Sequence, residues 1–202
     1  QNLIMLDGIT VYNPSHLGGV FSNFIVDGVK EAELIKGAYN AEYGGRLSAV
    51  LNVISREGNQ KEFKGKANIS LLSAQTTMEG PFYKGAWILS GRRTYFDLVL
   101  PKVLPDNIAT NIPPYFFYDV QGHIFSDINS KDRLSLSYYT GIDDIVFDTF
   151  GLDGRWGNNT ISAHWRRVFS ERLVGNFLAA NSNFRTMFGL GGDGGLVNDN
   201  II

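Results

Sequence analysis

The sequence predicts a mixed α/β unit of modest size that hands the chain on to membrane-type antiparallel β-strands, and three observations carry that prediction. Between Glu33 and Arg56 the chain reads ELIKGAYNAEYGGRLSAVLNVISR, two β-type runs around a glycine-punctuated turn, and its texture changes after it. Downstream, stretch after stretch alternates apolar and polar residues and is rich in aromatics, with no amphipathic helix expected among them. The connectors between those stretches alternate short and long, the pattern of outer-membrane barrels.

Composition sets the outer limits. A chain of 202 residues that is 44% hydrophobic can bury a core. Lys plus Arg number 18 against 20 Asp plus Glu, so no global basic field exists to hold nucleic acid. Cysteine is absent, which excludes disulfides, thiolate metal ligands and cysteine nucleophiles and fits any compartment. No stretch approaches the roughly 20 consecutive apolar residues of a membrane-spanning helix. The chain opens at Gln1 straight into LIML and closes in GLGGDGGLVNDNII, and so reads as a piece of a longer polypeptide.

Taken in order, Leu3 to Leu6 and Ile9 to Tyr12 read as strand on either side of an Asp7-Gly8 turn. Asn13 to Gly19 (NPSHLGG) is loop-like, Val20 to Asn23 is a candidate helical turn, and Asp27 is a candidate cap for a turn running through Glu31. Strand-like AELI follows, then the Tyr43-Gly44-Gly45-Arg46 bend and a β-rich exit from Leu47 to Ser55. The expected boundary divides residues 1–58 from residues 59–202.

Beyond it the period is two. Phe63, Gly65, Ala67 and Ile69 oppose Lys64, Lys66, Asn68 and Ser70; Leu134, Leu136 and Tyr138 oppose Arg133, Ser135 and Ser137. Such alternation suits a soluble sandwich as well as a barrel, but candidate strands of about ten residues fit a tilted membrane strand better than a soluble one. Tight connectors are read at Tyr83 to Gly85, Asp127 to Lys131 and Phe169 to Ser170, and long ones at Leu98 to Pro114, Asp143 to Gly157 and from Arg185 onward. Parity demands a further hairpin at Leu71 to Ala74. Seven strands follow, over about 62–70, 75–82, 86–97, 115–126, 132–142, 158–168 and 171–184, with residues 185–202 outside. Of the adjacent Arg92 and Arg93, the alternation assigns Arg92 to the lumen, in phase with Ile88 and Ser90.

LDGITVYNPSHLGGVFSNF followed by VKEAELIKGAYNAEYGGRLSAVLNVISR resembles the second half of the plug domain of TonB-dependent outer-membrane receptors, in the form common among Bacteroidetes-type members. EGPFYKGAWILSGRRTYFD and YFFYDVQGHIFSDINSKDRLSLSYYTGIDD resemble the opening strands of the same family's barrel. The resemblance implies a barrel of about 22 antiparallel strands occluded by the plug, of which this chain would hold about seven. It also implies a receptor in the bacterial outer membrane that binds a scarce or bulky solute (a siderophore, cobalamin or an oligosaccharide) and imports it with proton-gradient energy relayed by TonB. Implied partners are the TonB complex, whose contact segment this fragment lacks, outer-membrane lipid, an extracellular small-molecule or glycan ligand and, in some glycan-importing relatives, a surface lipoprotein. In many members a second Gly-Gly pair follows the Tyr-Gly of the exit motif, whereas here LSAVLN does.

By position, the resemblance makes Tyr12 to Gly19 a candidate apical, substrate-facing loop, with Tyr12, Asn13 and His16 able to stack on or hydrogen-bond a ligand. Asn13-Pro14-Ser15 reads equally well as a plain turn. Arg46 and Arg56 are candidate contacts between plug and barrel wall. His16, His123 and His164 stand in no ligand spacing, so neither a metal nor a cofactor is expected, and His123 and His164 read as polar lumen residues. Asp143-Asp144 reads as a solvated loop mouth, and GLGGDGG lacks the Lys-Ser/Thr of a phosphate loop. No pair of carboxylates is singled out for catalysis, so no enzyme is expected. A soluble β-rich carbohydrate-binding module and a passive outer-membrane pore remain the alternatives.

Overall fold

The computed structural model describes residues 2–37, 43, 48–105, 112–147, 151–190 and 196–201. Residues 3–55 build a four-stranded mixed sheet. Strand β1 (Leu3–Leu6) turns back into β2 (Ile9–Thr10), and β5 (Val29–Lys36) pairs antiparallel with β6 (Ala49–Ser55). β1 and β6 run parallel, giving the order β2-β1-β6-β5. The first turn obeys its sequence: Asp7 and Gly8 both take positive φ, 50° and 83°, as a two-residue hairpin loop whose twist matches its strands requires. Between these strands, β3 (Ser15–His16) and β4 (Phe21–Ser22) form a separate hairpin around a 3-10 turn at Leu17–Gly19.

Two local expectations are corrected here. The turn predicted over Val20 to Asn23 is instead β4, with the helical turn three residues earlier. Asp27 begins no turn through Glu31, because the 3-10 turn is Val26–Gly28 and Val29 already belongs to β5. VKEAELIK holds several helix formers, but pairing along β6 overrides that local preference and leaves no helical start.

Residues 64–201 form one antiparallel meander. Its strands are β7 (Lys64–Ile69), β8 (Ser73–Phe82), β9 (Gly85–Thr94), β10 (Tyr115–Asp127), β11 (Asp132–Phe147), β12 (Leu152–Ser170), β13 (Leu173–Leu190) and β14 (Leu196–Ile201), each bonded to the next. The hairpin that parity demanded lies at Ser70 to Leu72. Eight strands stand where seven were expected, and the described residues form an open sheet with β7 and β14 at its edges. A helix, α1 (Phe96–Val103), follows β9 where none was expected. It has no side-chain cap and contains Pro101, so its own sequence supports it poorly; Phe96 instead packs near Phe21 and Tyr115, and Asp97 accepts from Arg93 at 2.8 Å.

The loop predicted over Asp143 to Gly157 is also corrected, as is the one beginning at Arg185. β11 continues to Phe147, β12 begins at Leu152, and Arg185 lies within β13. Charges and glycines interrupt the apolar alternation there, but ladder hydrogen bonds are backbone bonds and run on regardless.

The register sorts the long sheet's side chains cleanly. One face carries Gln75, Thr77 and Glu79, then Ser90 and Arg92, then Asp119, Gln121 and His123, then Ser135, Ser137 and Tyr139, then Asn158 and Thr160. That polar face lies against the small sheet, and many of these residues are buried there. The opposite face carries Met78, Leu89, Leu134, Leu136, Ile161 and Phe177, and it is bare: Leu136 is 43% and Phe177 48% exposed. The small sheet keeps its own apolar interior, with Leu6, Val11, Phe24 and Val53 packed together with Tyr139 and, beside them, Leu3, Met5 and Val50.

Candidate functional site

The contacts between the small sheet and the long one concentrate at three places. The first is the segment Asn13 to Ser22, set near the end of the long sheet that carries the 95–114 connector. His16 is 1% exposed. Its Nδ1 lies 2.8 Å from Asp143 Oδ2 and its Nε2 2.8 Å from Asp119 Oδ1. The ring lies flat on Phe117, with centroids 4.0 Å apart and planes 6° from parallel.

Each aspartate has further donors. Asp119 accepts from Arg92 Nε at 2.9 Å and from the Tyr139 hydroxyl at 3.0 Å; Asp143 accepts from the Tyr115 hydroxyl at 2.5 Å, and that hydroxyl in turn accepts from the Leu17 N–H at 3.0 Å. Arg92 also donates to the Ser22 carbonyl at 2.5 Å. Gly141 leaves the room this needs, since a Cβ there would sit 2.1 Å from the Tyr139 hydroxyl. Burial alone would lower the His16 pKa, but hydrogen bonds to Asp119 and Asp143 outweigh it and the net shift is upward.

The same segment is held further on by Asn158. Its Oδ1 accepts from the N–H groups of Tyr12 and Asn13 at 3.1 and 3.4 Å, and its Nδ2 donates to the Asn13 carbonyl at 2.7 Å. Tyr12 remains 42% exposed and the Asn13 side chain half-buried, whereas both ring nitrogens of His16 are already engaged. At the tip, Leu17, Gly18 and Gly19 take φ of 46°, 64° and 108° in succession, and Leu17, which has no glycine licence for that conformation, is strained.

The second contact is at mid-height. Arg56, just after β6, places one guanidinium nitrogen 3.0 Å from both carboxylate oxygens of Glu79 on β8, and another 2.8 Å from the Asp27 carbonyl. The Asp27 carboxylate takes Lys66 at 2.6 Å and Gln75 at 2.7 Å, and the Lys66 hydrogen bond holds its pKa below the usual carboxylate range. Arg46 lies outside the described residues. Just beyond Arg56 the chain crosses β9 so closely that a Cβ on Gly58, at φ +85°, would meet the Trp87 carbonyl oxygen at 2.4 Å.

The third contact encloses a polar cavity of about 680 Å³ at the end of the long sheet with the tight turns. His123 and His164 line it with Asp7, Glu57, Arg133 and Arg166. His123 is hydrogen-bonded to Ser137 at 2.9 Å.

Reading residues one at a time missed Asp119, Asp143, Tyr115, Tyr139 and Asn158. Asp143 was visible but assigned to solvent, and the structure corrects that: it is 2% exposed and belongs to β11. The usable signal was phase, since Asp119, Tyr139 and Asp143 all fall on the polar side of the alternation.

The arrangement matches solved structures along nearly its whole length. Two variants of the ferric enterobactin receptor of Pseudomonas aeruginosa align with 99% of the chain at TM-scores of 0.62 and 0.58, with 15% and 17% identity. A third variant, in complex with enterobactin, aligns with 99% of the chain at 0.61 and 15% identity. The fold is TonB-dependent-receptor-like. The chain spans 36–37% of the length of those receptors. No family model matches the sequence, and no curated protein matches it either. Within this receptor-like fold, the residues that join the two sheets come from the Thr10 to Ser22 segment, from Asp27 and Gly28 and from Ser55 to Glu57 on one side, and from β7 to β13 on the other.

Proposed function

We propose that the chain is part of a TonB-dependent receptor of the bacterial outer membrane, with residues 1–58 as the second half of its plug and residues 59–202 as the first strands of its barrel wall. One observation carries this reading: the long sheet turns its polar face to the small sheet and leaves its apolar face bare. A soluble sandwich buries the apolar face, whereas a barrel wall around a plug presents it to lipid. On this reading the segment carrying Tyr12 and Asn13 faces the outside, and the whole receptor binds a scarce or bulky solute there and imports it with energy relayed by TonB. The similar receptor solved with enterobactin supports a ferric siderophore as the first ligand to try, ahead of cobalamin and oligosaccharides.

The membrane half of the proposal is tested by spin-labelling the full-length protein in lipid at Leu136→Cys and, separately, at the adjacent Ser137→Cys. The label at 136 is expected to relax with dissolved oxygen and not with aqueous nickel, and the label at 137 is not. Equal water access at both positions would refute a lipid-facing wall. The transport half is tested by uptake of a ferric catecholate siderophore, which is expected to stop when a protonophore collapses the inner-membrane gradient. Uptake that persists would leave a passive pore.

A further inference from the structure

We propose that His16 is a positioning residue held as an imidazolium, a proton-dependent latch that fixes the Asn13 to Ser22 segment to β9, β10 and β11. The argument is one of donors and acceptors. An ionised carboxylate only accepts, and a neutral imidazole has one N–H to give. Both ring nitrogens of His16 nevertheless face carboxylate oxygens at 2.8 Å.

Among the described residues Asp143 Oδ2 meets only His16 Nδ1, so the missing proton lies on that line, and imidazole is ordinarily a stronger base than a carboxylate, which places the proton on the ring. Asp119 already takes the Arg92 guanidinium and the Tyr139 hydroxyl. Asp143 takes the Tyr115 hydroxyl, whose oxygen is itself occupied as the acceptor of the Leu17 N–H. With that proton on the ring, both carboxylates accept and both nitrogens of His16 donate. The charges then balance, His16 and Arg92 against Asp119 and Asp143, in a site where an unbalanced charge is expensive. These groups, with Tyr115 and Tyr139, are the titratable and charged side chains that β9, β10 and β11 turn toward the ring.

What the latch holds gives it a consequence. The segment's tip is the strained run of Leu17, Gly18 and Gly19, with Leu17 and Val20 exposed beside it. Loss of the ring proton removes one of two charge-assisted hydrogen bonds, sets an imidazole lone pair against a carboxylate, and frees the tip to relax. A folded-state value raised above the ordinary imidazole value means that the latch is fully closed below about pH 6.5 and opens as pH rises through the raised value. This inference does not depend on the transport reading, because its readouts are the ring proton and the segment's backbone.

The test uses the full-length protein in detergent micelles, with ¹⁵N-histidine labelling and hydrogen exchange of the amides of residues 15–22. At about pH 7, His16, assigned by its absence from His16→Gln, is expected to carry protons on both nitrogens. His16→Gln is expected to exchange those amides about tenfold faster or more, after correction for intrinsic rates, while the amides of β1 and β6 stay protected. Asp143→Asn keeps the shape and removes one charge, and is expected to move the His16 titration to lower pH and carry the opening of the segment with it. A neutral His16 ring at that pH, or unchanged protection in His16→Gln, overturns the proposal. Should His16→Gln fail to fold, Asp143→Asn decides: a titration midpoint that does not fall overturns it equally.

Discussion

In the small sheet Leu6 and Val53 pack with Val11 and Phe24 in an apolar interior, whereas in the long sheet Leu134, Leu136 and Ile161 point away from the rest of the described molecule. Both sheets are written with apolar residues on a β period, and both are hydrogen-bonded throughout. What differs is the medium each apolar face is built to meet. The small-sheet unit buries its apolar residues, with Phe24 and Val53 reaching Tyr139 of β11, and sets polar atoms around them at the boundary. The long sheet turns its polar face inward, so the boundary between the two is rich in hydrogen bonds and ion pairs beside the apolar contacts of Tyr139 and Phe117. Those pairs include His16 with Asp119 and Asp143, Arg56 with Glu79, and Lys66 with Asp27. A boundary of that kind is specific in its geometry, because each buried charge needs its own partner.

The contrast can be broken most sharply from the small-sheet side. Val53→Asp puts an unpaired charge at a position only 2% exposed, and is expected to destabilise the small sheet by more than about 4 kcal/mol, read as loss of its protease resistance. Next comes the boundary. Arg92→Leu strips a buried Asp119 of its guanidinium and is expected to cost about 3–5 kcal/mol in denaturant titration. The neighbouring Arg93→Leu, whose side chain is 41% exposed and meets Asp97 on α1, the Thr94 carbonyl and the Phe116 ring, is expected to cost less, about 1 kcal/mol. Equal costs for the two arginines would dissolve the distinction between the faces.

On the bare side, Leu136→Arg is expected to cost about 2–4 kcal/mol when the full-length protein folds into phospholipid vesicles, provided the position lies near the bilayer midplane. No cost there would place that face in water. The smallest expected effect is at Asp27. Its hydrogen bond to Lys66 lowers its pKa, so the stability it contributes is present above the ordinary carboxylate value of about 3.9 and is lost as pH falls through the lowered one. Amide exchange at Gly28 and Val29, followed on acidification, measures it.

The fold was legible wherever local chemistry and period agreed. The Asp7-Gly8 turn and the tight turns near Tyr83 and Asp127 sit where residue type and parity put them, whereas the hairpin expected at Leu71 to Ala74 lies at Ser70 to Leu72 and the turn expected at Phe169 to Ser170 lies at Glu171-Arg172, because β8 starts earlier and β12 runs on to Ser170. Legibility failed where tertiary contacts overrode local pattern. Helix α1 has neither cap nor proline-free interior and rests on Phe21, Tyr115 and Arg93. The upper halves of β11 and β12 look like loops because Asp144, Arg155 and Asn159 interrupt the apolar face, while Asp143 and Asn158 on the other face are polar because they bind the Asn13 to Ser22 segment. In the candidate segment Tyr12 is exposed and Asn13 half-buried, whereas His16, read as able to meet a ligand, is engaged by the sheet through partners that no local stretch reveals.

By itself the sequence determined two sheets of different texture, the alternation that gives each strand an apolar and a polar face, and the junction between Glu33 and Arg56 that divides them. Those follow from side-chain period and turn chemistry, which act over a few residues. Only the tertiary structure decided which face meets the small sheet, and that His16 lies between Asp119 and Asp143, 103 and 127 residues further along the chain. Pairings across such distances are fixed by strand register and by the need to satisfy buried charge, and neither is written in any local stretch of the chain.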